Sequence, residues 1–215
     1  MLRCAQHGYP RRVIDLVRVR AALASYAPRL LPETGARQAA VAMLLRHAPA
    51  APEVLLIERA RREGDPWSGH MAFPGGRVEI SDEGVQRAAE RETFEEVGID
   101  LAGAEILGRL DDLEGRHAGK PVSLVISAFV YHAPAPEKIE VSPEVEAALW
   151  VPVSALADPA HHVEYAYPSA GGARYPGIVV GDPERHVVWG LTYRFLEIFF
   201  QAVERPLPDR WQGFR

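Results

Sequence analysis

Cysteine is nearly absent from this 215-residue chain. Cys4 is the only one, so no disulfide bond can form within the chain, and nothing points to an oxidising compartment. We therefore expect a reduced, cytoplasmic environment. Long apolar runs are also missing: the best two, 39–45 and 195–203, fall well short of the about 20 residues that cross a bilayer. No membrane association is expected.

The chain also lacks an excess of positive charge. It has 24 lysines and arginines against 29 aspartates and glutamates, which gives a formal net charge of -5 at pH 7. Phosphate backbones select clustered cations, so this balance argues against general nucleic-acid binding. A small polyanionic substrate would have to be met by local positive charge. Whether two chains associate into a homodimer is left open.

Length and composition, with 47% hydrophobic and 25% charged residues, predict one compact domain with terminal elaborations. We divide the chain into an N-terminal helical extension (1–36), a main domain that includes a C-terminal helix (37–205) and a tail (206–215). The arginine-rich start resembles a transit peptide, but 13–26 also makes a plain amphipathic helix, which we favour.

Strands and helices follow one another in mixed order along the chain. Apolar runs predict strands at 39–45, 54–59, 106–110, 122–131 and 149–151. Helical patterns cover 85–97, 152–157 and 189–203. Together they predict an α/β/α sandwich with a mixed sheet.

The predicted helix at 85–97 carries a dense group of acids. Glu92 and Glu96 lie one turn apart and Glu95 lies three residues after Glu92, so the three carboxylates project from adjoining faces of one turn. Like charges at this spacing repel, and the helix dipole disfavours anions near a C-terminus. Such a cluster is either fully solvated or holds a cation.

The segment 73–76, Phe-Pro-Gly-Gly, precedes this helix. Its glycines let backbone groups approach a ligand closely, as oxygen-liganded cations and phosphates require. Acidic helix faces are usually solvated, but these surroundings favour the cation instead. Carboxylates together with a backbone carbonyl suit Mg²⁺ or Mn²⁺.

The run Arg-Glu-Thr-Phe-Glu-Glu-Val-Gly-Ile at 91–99 resembles the second half of the Nudix box. This box is the signature of hydrolases that cleave a nucleoside diphosphate linked to another moiety. Thr93 replaces the usual aliphatic residue, a change that leaves every acid in place. In the first half, Gly76 lies one residue further upstream than in the common pattern, so either Asp82 or Glu83 takes the role of the leading acid. The resemblance places a Nudix hydrolase domain at 37–205 and implies the same α/β/α sandwich.

The resemblance also implies roles for the matching positions. Glu92 and Glu96 would be the main metal ligands, and Gly76 would contribute its carbonyl. Glu95 would be a further ligand or the base that activates water. Arg91 would hold one of the glutamates in place through a charge-assisted pair, which suits arginine better than lysine.

Outside the box, many Nudix enzymes supply an acid from a loop that faces the box helix. Glu144 lies at the similar position in this chain and is the candidate for this ligand or base. Glu146 is the nearby alternative. Histidines are not expected to bind the ion, because hard Mg²⁺ prefers oxygen to imidazole. We interpret His70 as a loop residue, and His161 and His162 as solvated.

Three further segments resemble the coenzyme A pyrophosphatase branch of the family: Leu-Leu-Ile-Glu-Arg-Ala at 55–60, Gly-His-Met-Ala-Phe-Pro-Gly-Gly at 69–76 and Val-Trp-Gly-Leu-Thr at 188–192. Two positions differ from that branch. Ile57 stands where it prefers threonine, and Gly64 stands where it prefers a basic residue.

The branch resemblance implies hydrolysis of coenzyme A or an acyl derivative at its pyrophosphate, with Mg²⁺ or Mn²⁺ as the ion. Four residues are expected to contact this small nucleotide substrate: Arg59, Phe73, Gly75 and Arg77. The two differences keep open a Nudix pyrophosphatase for ADP-ribose, nucleotide sugars or nucleoside triphosphates. A third hypothesis is a non-catalytic nucleotide-binding module, against which the intact acid cluster argues.

Overall fold

The computed structural model describes residues 14–32, 37–63, 67–117, 120–133, 138–167 and 173–208. Its helices are α1 (Leu16–Ala24), α2 (Val85–Val97), α3 (Val153–Leu156) and α4 (Gly190–Ala202), with a short 3-10 turn at Pro159–His161. The strands are β1 (Arg37–Arg46), β2 (Glu53–Arg59), β3 (Met71–Ala72), β4 (Gly75–Arg77), β5 (Glu105–Arg109), β6 (Leu113–His117), β7 (Lys120–His132), β8 (Val145–Pro152), β9 (His162–Ala166), β10 (Arg174–Val179) and β11 (Val187–Trp189).

Strand β1 is the centre of the main sheet. It runs parallel to β7 from Arg37, opposite Leu124, to Leu45, opposite His132. Its other edge pairs antiparallel with β4 near its start and with β2 near its end. Strands β8 and β3 extend the sheet beyond β2, while β5 and β6 pair with β7. The mixed sheet is therefore confirmed.

Helices cover both faces of this sheet. On one face, α2 packs against β1 through alanines on both elements, namely Ala88 and Ala89 on α2 and Ala40 and Ala42 on β1. On the other face, apolar residues of α1 and α4 share one core with the sheet, among them Val19 and Phe199. This arrangement confirms the predicted α/β/α sandwich.

A second, three-stranded antiparallel sheet is formed by β9, β10 and β11. The sequence prediction missed these strands and assigned Trp189 to the last helix, which in fact begins at Gly190. Ile178 and Val188 point from this sheet into the core, where both are fully buried. The small sheet therefore belongs to the same layer as α4.

The acid-bearing helix has the predicted bounds. It ends where Gly98 adopts a left-handed conformation at φ 70° and donates its backbone N–H to the Phe94 carbonyl at 2.9 Å, a common helix ending. At the start of α1, the Asp15 side chain accepts from the backbone N–H of Arg18 at 2.7 Å. Within the described part of the chain, no helix is long and apolar enough to cross a membrane.

Helix α1 shares the main core through Leu16, Val19 and Leu23, so this part of the N-terminal extension packs on the domain. The division at 36 and 205 stays a prediction. Residues 1–13 and 209–215, which include most of the predicted tail, lie outside the described residues.

Candidate active site

The last turns of α2 face the glycine strand β4. The backbone N–H of Gly75 donates to Glu96 Oε2 at 2.8 Å. Gly76 lies so close to the Glu92 carboxyl group that a Cβ atom at this position would overlap it. The two glycines and the two carboxylates thus form one wall, and the missing side chain at Gly76 is what lets the helix approach the strand.

Arg91 connects the acids of this site. Its guanidinium binds Asp82 in a two-pronged contact, with Nε 2.9 Å from Oδ1 and Nη2 3.1 Å from Oδ2. Nη1 donates to Glu92 Oε1 at 3.0 Å and to Glu95 Oε2 at 3.1 Å. The Asp82 side chain is nearly buried, whereas Glu83 is exposed. Of the two candidates for the leading acid, Asp82 is the one that engages the arginine.

Uncompensated negative charge remains on the buried side of the cluster. Burial raises the pKa of Glu96 to about 7, because its charged form is poorly solvated, and the neighbouring charges of Glu92 and Glu144 add to this effect. The Gly75 N–H and the positive charge of Arg59 act in the opposite direction. Burial also raises the pKa of Glu92, with Glu95 and Glu144 contributing. Each acid disfavours ionisation of the next, and a divalent cation would relieve this repulsion.

Glu144 lies two residues after Ser142, whose backbone N–H donates to the Glu96 carbonyl at 2.9 Å, and its charge contributes to raising the pKa of both Glu92 and Glu96. Its Oε1 also accepts from Arg62 Nη1 at 3.0 Å. The rival, Glu146, lies 3.7 Å from Arg185 instead. The structure therefore brings Glu144 to the acids of α2.

The donor chemistry at this site fits a hard cation, because the converging groups are carboxylates beside a glycine backbone. In the described ranges, no group of three or more His, Cys, Asp or Glu side chains already has the arrangement of a metal site. Arg91 binds Glu92 and Glu95, and Gly75 binds Glu96. The glutamates would have to leave these partners in part to share an ion.

The four predicted substrate contacts lie in different surroundings. Arg59 is close enough to lower the pKa of Glu96, and Gly75 belongs to the site wall. Arg77 has an exposed side chain, and its carbonyl accepts from Arg91 at 3.1 Å. Phe73 is 2% exposed in the main core, so its ring offers no surface to a substrate and the predicted contact is not supported.

Sequence reasoning missed a group of rings on the outer side of the small sheet. We call the side chains of Tyr165, Tyr167, Tyr175 and Trp189 the aromatic face. The His70 ring lies against its edge, 4.8 Å from the Trp189 ring. The alternating tyrosines Tyr165 and Tyr167 are a strand pattern that could have revealed it.

The interpretation of His162 as solvated was wrong. This residue is 5% exposed, and its Nε2 lies 2.9 Å from the Leu156 carbonyl oxygen. His161 is exposed, as expected. His162 is therefore a core histidine of β9 and takes no part in the acid cluster.

Comparison with known proteins gives matches over most of the chain. A family model described as NUDIX domain matches residues 36–170. An uncharacterized protein of Schizosaccharomyces pombe is 34% identical over 163 residues, which are 66% of this chain and 50% of that protein. The chain thus spans about half the length of this relative.

Two further matches have fuller coverage of the similar protein. The uncharacterized Nudix hydrolase NudL of Citrobacter koseri is 30% identical over 184 residues, which are 83% of this chain and 90% of that protein. Among solved structures, a binary complex of the Caenorhabditis elegans Ap4A hydrolase is 23% identical with a TM-score of 0.46, and the match covers 55% of this chain and 81% of that one.

Proposed function

Since the chain belongs to the Nudix hydrolase family, which acts on phosphorus-containing anhydrides, we propose that it cleaves the pyrophosphate bond of coenzyme A or an acyl-CoA. The products would be adenosine 3′,5′-bisphosphate and 4′-phosphopantetheine or its acyl form. Members of this family generally need divalent metal ions. We further propose that the ion here is Mg²⁺ or Mn²⁺.

The observation that carries the substrate proposal is the contact between two segments distant in sequence. The segments 69–76 and 188–192 each resemble the coenzyme A branch. The Thr192 hydroxyl donates to the Met71 carbonyl at 3.1 Å, across 121 residues of sequence, and the Trp189 ring lies against His70. The first of these segments continues directly into the glycine wall of the acid cluster. The branch-like features are therefore adjacent to the proposed site of bond cleavage.

The departures from the branch pattern carry less weight than the sequence suggested. Ile57 is fully buried under α2, so the difference from threonine changes the core and leaves the surface of the site untouched. Gly64 lies outside the described residues.

Glu92, Glu95 and Glu96, with the Gly76 carbonyl, are the groups that would hold the ion. When bound, it would neutralise phosphate oxygens and acidify the attacking water. Asp82 would keep Arg91 in place, and Arg91 in turn would orient Glu92 and Glu95. The charge of Arg59 acts on the buried Glu96, and its guanidinium would approach the negative pyrophosphate.

The chain also has to accept a proton from the attacking water. Glu95 and Glu144 are suited to this step, because their side chains are 56% and 55% exposed and can reach solvent. As the water oxygen bonds to one phosphorus atom, the bond from that phosphorus to the bridging oxygen breaks. The bridging oxygen leaves on the other phosphate, and the proton resides on the carboxylate.

Product analysis tests the substrate directly. The purified protein would be incubated with coenzyme A, acetyl-CoA, ADP-ribose and ATP, each with MgCl₂, with MnCl₂ or with EDTA, and the products would be separated by chromatography. We expect the highest kcat/KM with a coenzyme A compound and no turnover in EDTA. A higher value for ADP-ribose or ATP would reject the coenzyme A proposal. Binding without turnover of any compound would indicate a non-catalytic module.

A further inference from the structure

The aromatic face is a product of strand alternation. Tyr165 pairs with Tyr175 across β9 and β10, and Trp189 of β11 lies opposite Gly177 of β10. Residues opposite one another in adjacent strands share a face of the sheet. The opposite face holds buried Ile178 and directs it into the core. The large rings therefore lie on the outer side of the small sheet, where the core does not require them.

Trp189 is the centre of this surface. Its ring lies 4.6 Å from Tyr167, 5.0 Å from Tyr165 and 5.4 Å from Tyr175, measured between ring centroids. The planes of the tyrosine rings are inclined to the Trp189 plane by 30° to 47°, and all four residues are half-buried. A grouped, half-buried aromatic surface is typical of a ligand site, because a flat ring placed on it buries apolar area on both partners.

The aromatic face is joined to the acid cluster by the chain around β3. The Arg59 backbone N–H donates to the His70 carbonyl at 3.0 Å, and the Gly69 N–H donates to the Arg59 carbonyl at 3.1 Å. The Arg59 side chain acts on Glu96 on one side of this junction, while the His70 ring contacts Trp189 on the other. The two surfaces therefore meet at one short segment.

Positive charge borders the rings. Arg61 is exposed, and its guanidinium lies next to Gly69. Burial raises the pKa of Tyr165, the neighbouring Tyr167 adds to this shift, and the charge of Arg61 opposes it. A cation beside an aromatic surface matches a ligand with a flat ring and a phosphate.

Two residues of the turn that leads into β11 contact a buried glutamate of β2. Arg185 Nη2 lies 2.8 Å from Oε2 of the fully buried Glu58, and His186 Nε2 lies 3.3 Å from the same oxygen. The Asp182 backbone N–H donates to His186 Nδ1 at 3.0 Å, so the neutral ring carries its hydrogen on Nε2, toward the glutamate. These contacts fix the chain three residues before Trp189.

We propose that the aromatic face binds the nucleobase of the substrate and that Arg61 contacts a phosphate of the same nucleotide. The adenine ring lies on Trp189, and the pyrophosphate extends past His70 to the acids of α2. The proposal rests on the proposed function for the presence of a nucleotide, and it adds the orientation: the nucleoside half, rather than the pantetheine half, lies on the small sheet.

Binding of AMP, which needs no turnover, tests this surface. Tryptophan fluorescence and calorimetry would give the Kd of AMP and of adenosine 3′,5′-bisphosphate for the wild-type protein and for Trp189→Ala. Stacking of a base on an aromatic ring predicts a Kd roughly 5- to 150-fold weaker in the variant. Trp189→Phe, which keeps a ring, should recover part of the affinity. Trp150→Phe is the control, because Trp150 of β8 packs against Arg46 of β1. The Kd of AMP for this variant should equal that for the wild type.

Tyr167→Ala provides a second test in case Trp189→Ala does not fold, since Tyr167 lies just after the end of β9 at Ala166. It should also weaken AMP binding. Unchanged AMP affinity in a folded Trp189→Ala or Tyr167→Ala variant would overturn the proposal. The proposed orientation would be overturned if 4′-phosphopantetheine displaced AMP from the wild-type protein and this displacement were lost in Trp189→Ala.

The kinetic readout separates this inference from the proposed function. With coenzyme A, Trp189→Ala should raise KM and keep kcat, whereas with pantetheine 4′-diphosphate methyl ester, which has no nucleoside, both constants should stay unchanged. Wild-type protein that binds AMP through Trp189 but does not cleave coenzyme A would reject the proposed function and support the aromatic site. Cleavage of coenzyme A with equal KM in the wild type and the variant would reject the aromatic site alone.

Discussion

Glu96 and Glu58 are the two glutamates that are buried in the described part of the chain, at 3% and 0% exposure, and they lie on opposite faces of the main sheet. Glu58 of β2 is met by Arg185 and His186. Glu96 of α2 receives one backbone N–H from Gly75 and is surrounded by further acids.

The difference separates two uses of a buried carboxylate. A charge that is matched by a hydrogen-bonded arginine and a histidine N–H holds two parts of the fold together, and removing one partner destabilises the protein. A charge that is left among like charges makes the fold less stable, and it persists where a ligand cation can compensate it. We infer that Glu58 serves the structure and that Glu96 serves the ion, and four experiments can break or sharpen this division.

The largest effect is expected at the acids of α2. Glu92→Gln should lower kcat on the order of a thousandfold, because a neutral amide is a poor ligand for a hard cation, while the melting temperature stays near that of the wild type. Glu83→Gln is the matched control, since Glu83 is exposed close by in sequence and should keep full activity. Normal turnover by the Glu92 variant would place the reaction elsewhere.

Arg91 is the one cation that contacts Glu92 and Glu95 among the described residues, so it tests how far orientation matters. Lysine cannot reproduce the two-pronged contact with Asp82, and Arg91→Lys should lower kcat/KM by about tenfold to a hundredfold. Arg87→Lys, on the same helix, changes the contact of an exposed arginine with Glu90 and should have little effect. Equal kinetics for the two variants would show that Arg91 does not orient the acids.

Stability should respond in opposite ways to neutralising the two buried glutamates. Glu58→Gln removes the buried, closer carboxylate partner of Arg185, which keeps Glu146 at 3.7 Å, and should lower the free energy of unfolding by about 2 kcal/mol. Glu96→Gln removes a repelled charge and should leave it unchanged or higher. Urea unfolding in EDTA measures both. Equal destabilisation by the two substitutions would erase the distinction between them.

The smallest effect is expected at an exposed pair, Arg20 with Glu105, which joins α1 to β5. The hydrogen bond from Arg20 lowers the pKa of Glu105 to about 2. A carboxylate with a lowered pKa stabilises the fold above its ordinary pKa of about 4.5, and this contribution is lost as the pH falls toward 2. Arg20→Gln should therefore lower the melting temperature slightly at pH 7 and leave it unchanged at pH 2. A difference that grows toward low pH would contradict this assignment.

The acid helix could be predicted because everything that shapes it is local. Helix formers fill 85–97, Gly98 ends the helix, and the spacing of the acids sets their direction before any tertiary contact forms. The strands β1, β2 and β7 were also found, since each is a long apolar run. These elements carry most of the main sheet and the proposed metal ligands.

What could not be predicted depends on partners far away in sequence. Glu58 looks like an ordinary strand-end acid until Arg185, 127 residues later, is placed beside it. Phe73 follows the same logic, because only the packed structure shows its ring inside the core. The small sheet was missed for a local reason as well: Pro176 and Gly177 interrupt the pattern of β10, and β11 has only three residues.

The contact between α2 and β1 has one more consequence. Since alanines, among them Ala42 and Ala89, lie on both sides of this contact, small side chains let the helix approach the strand closely. A bulkier side chain in this layer would push the helix outward and move Glu92 and Glu96 away from the glycine strand by a fraction of an ångström. The position of the acid cluster relative to the glycine strand thus depends on alanines that lie outside the cluster itself.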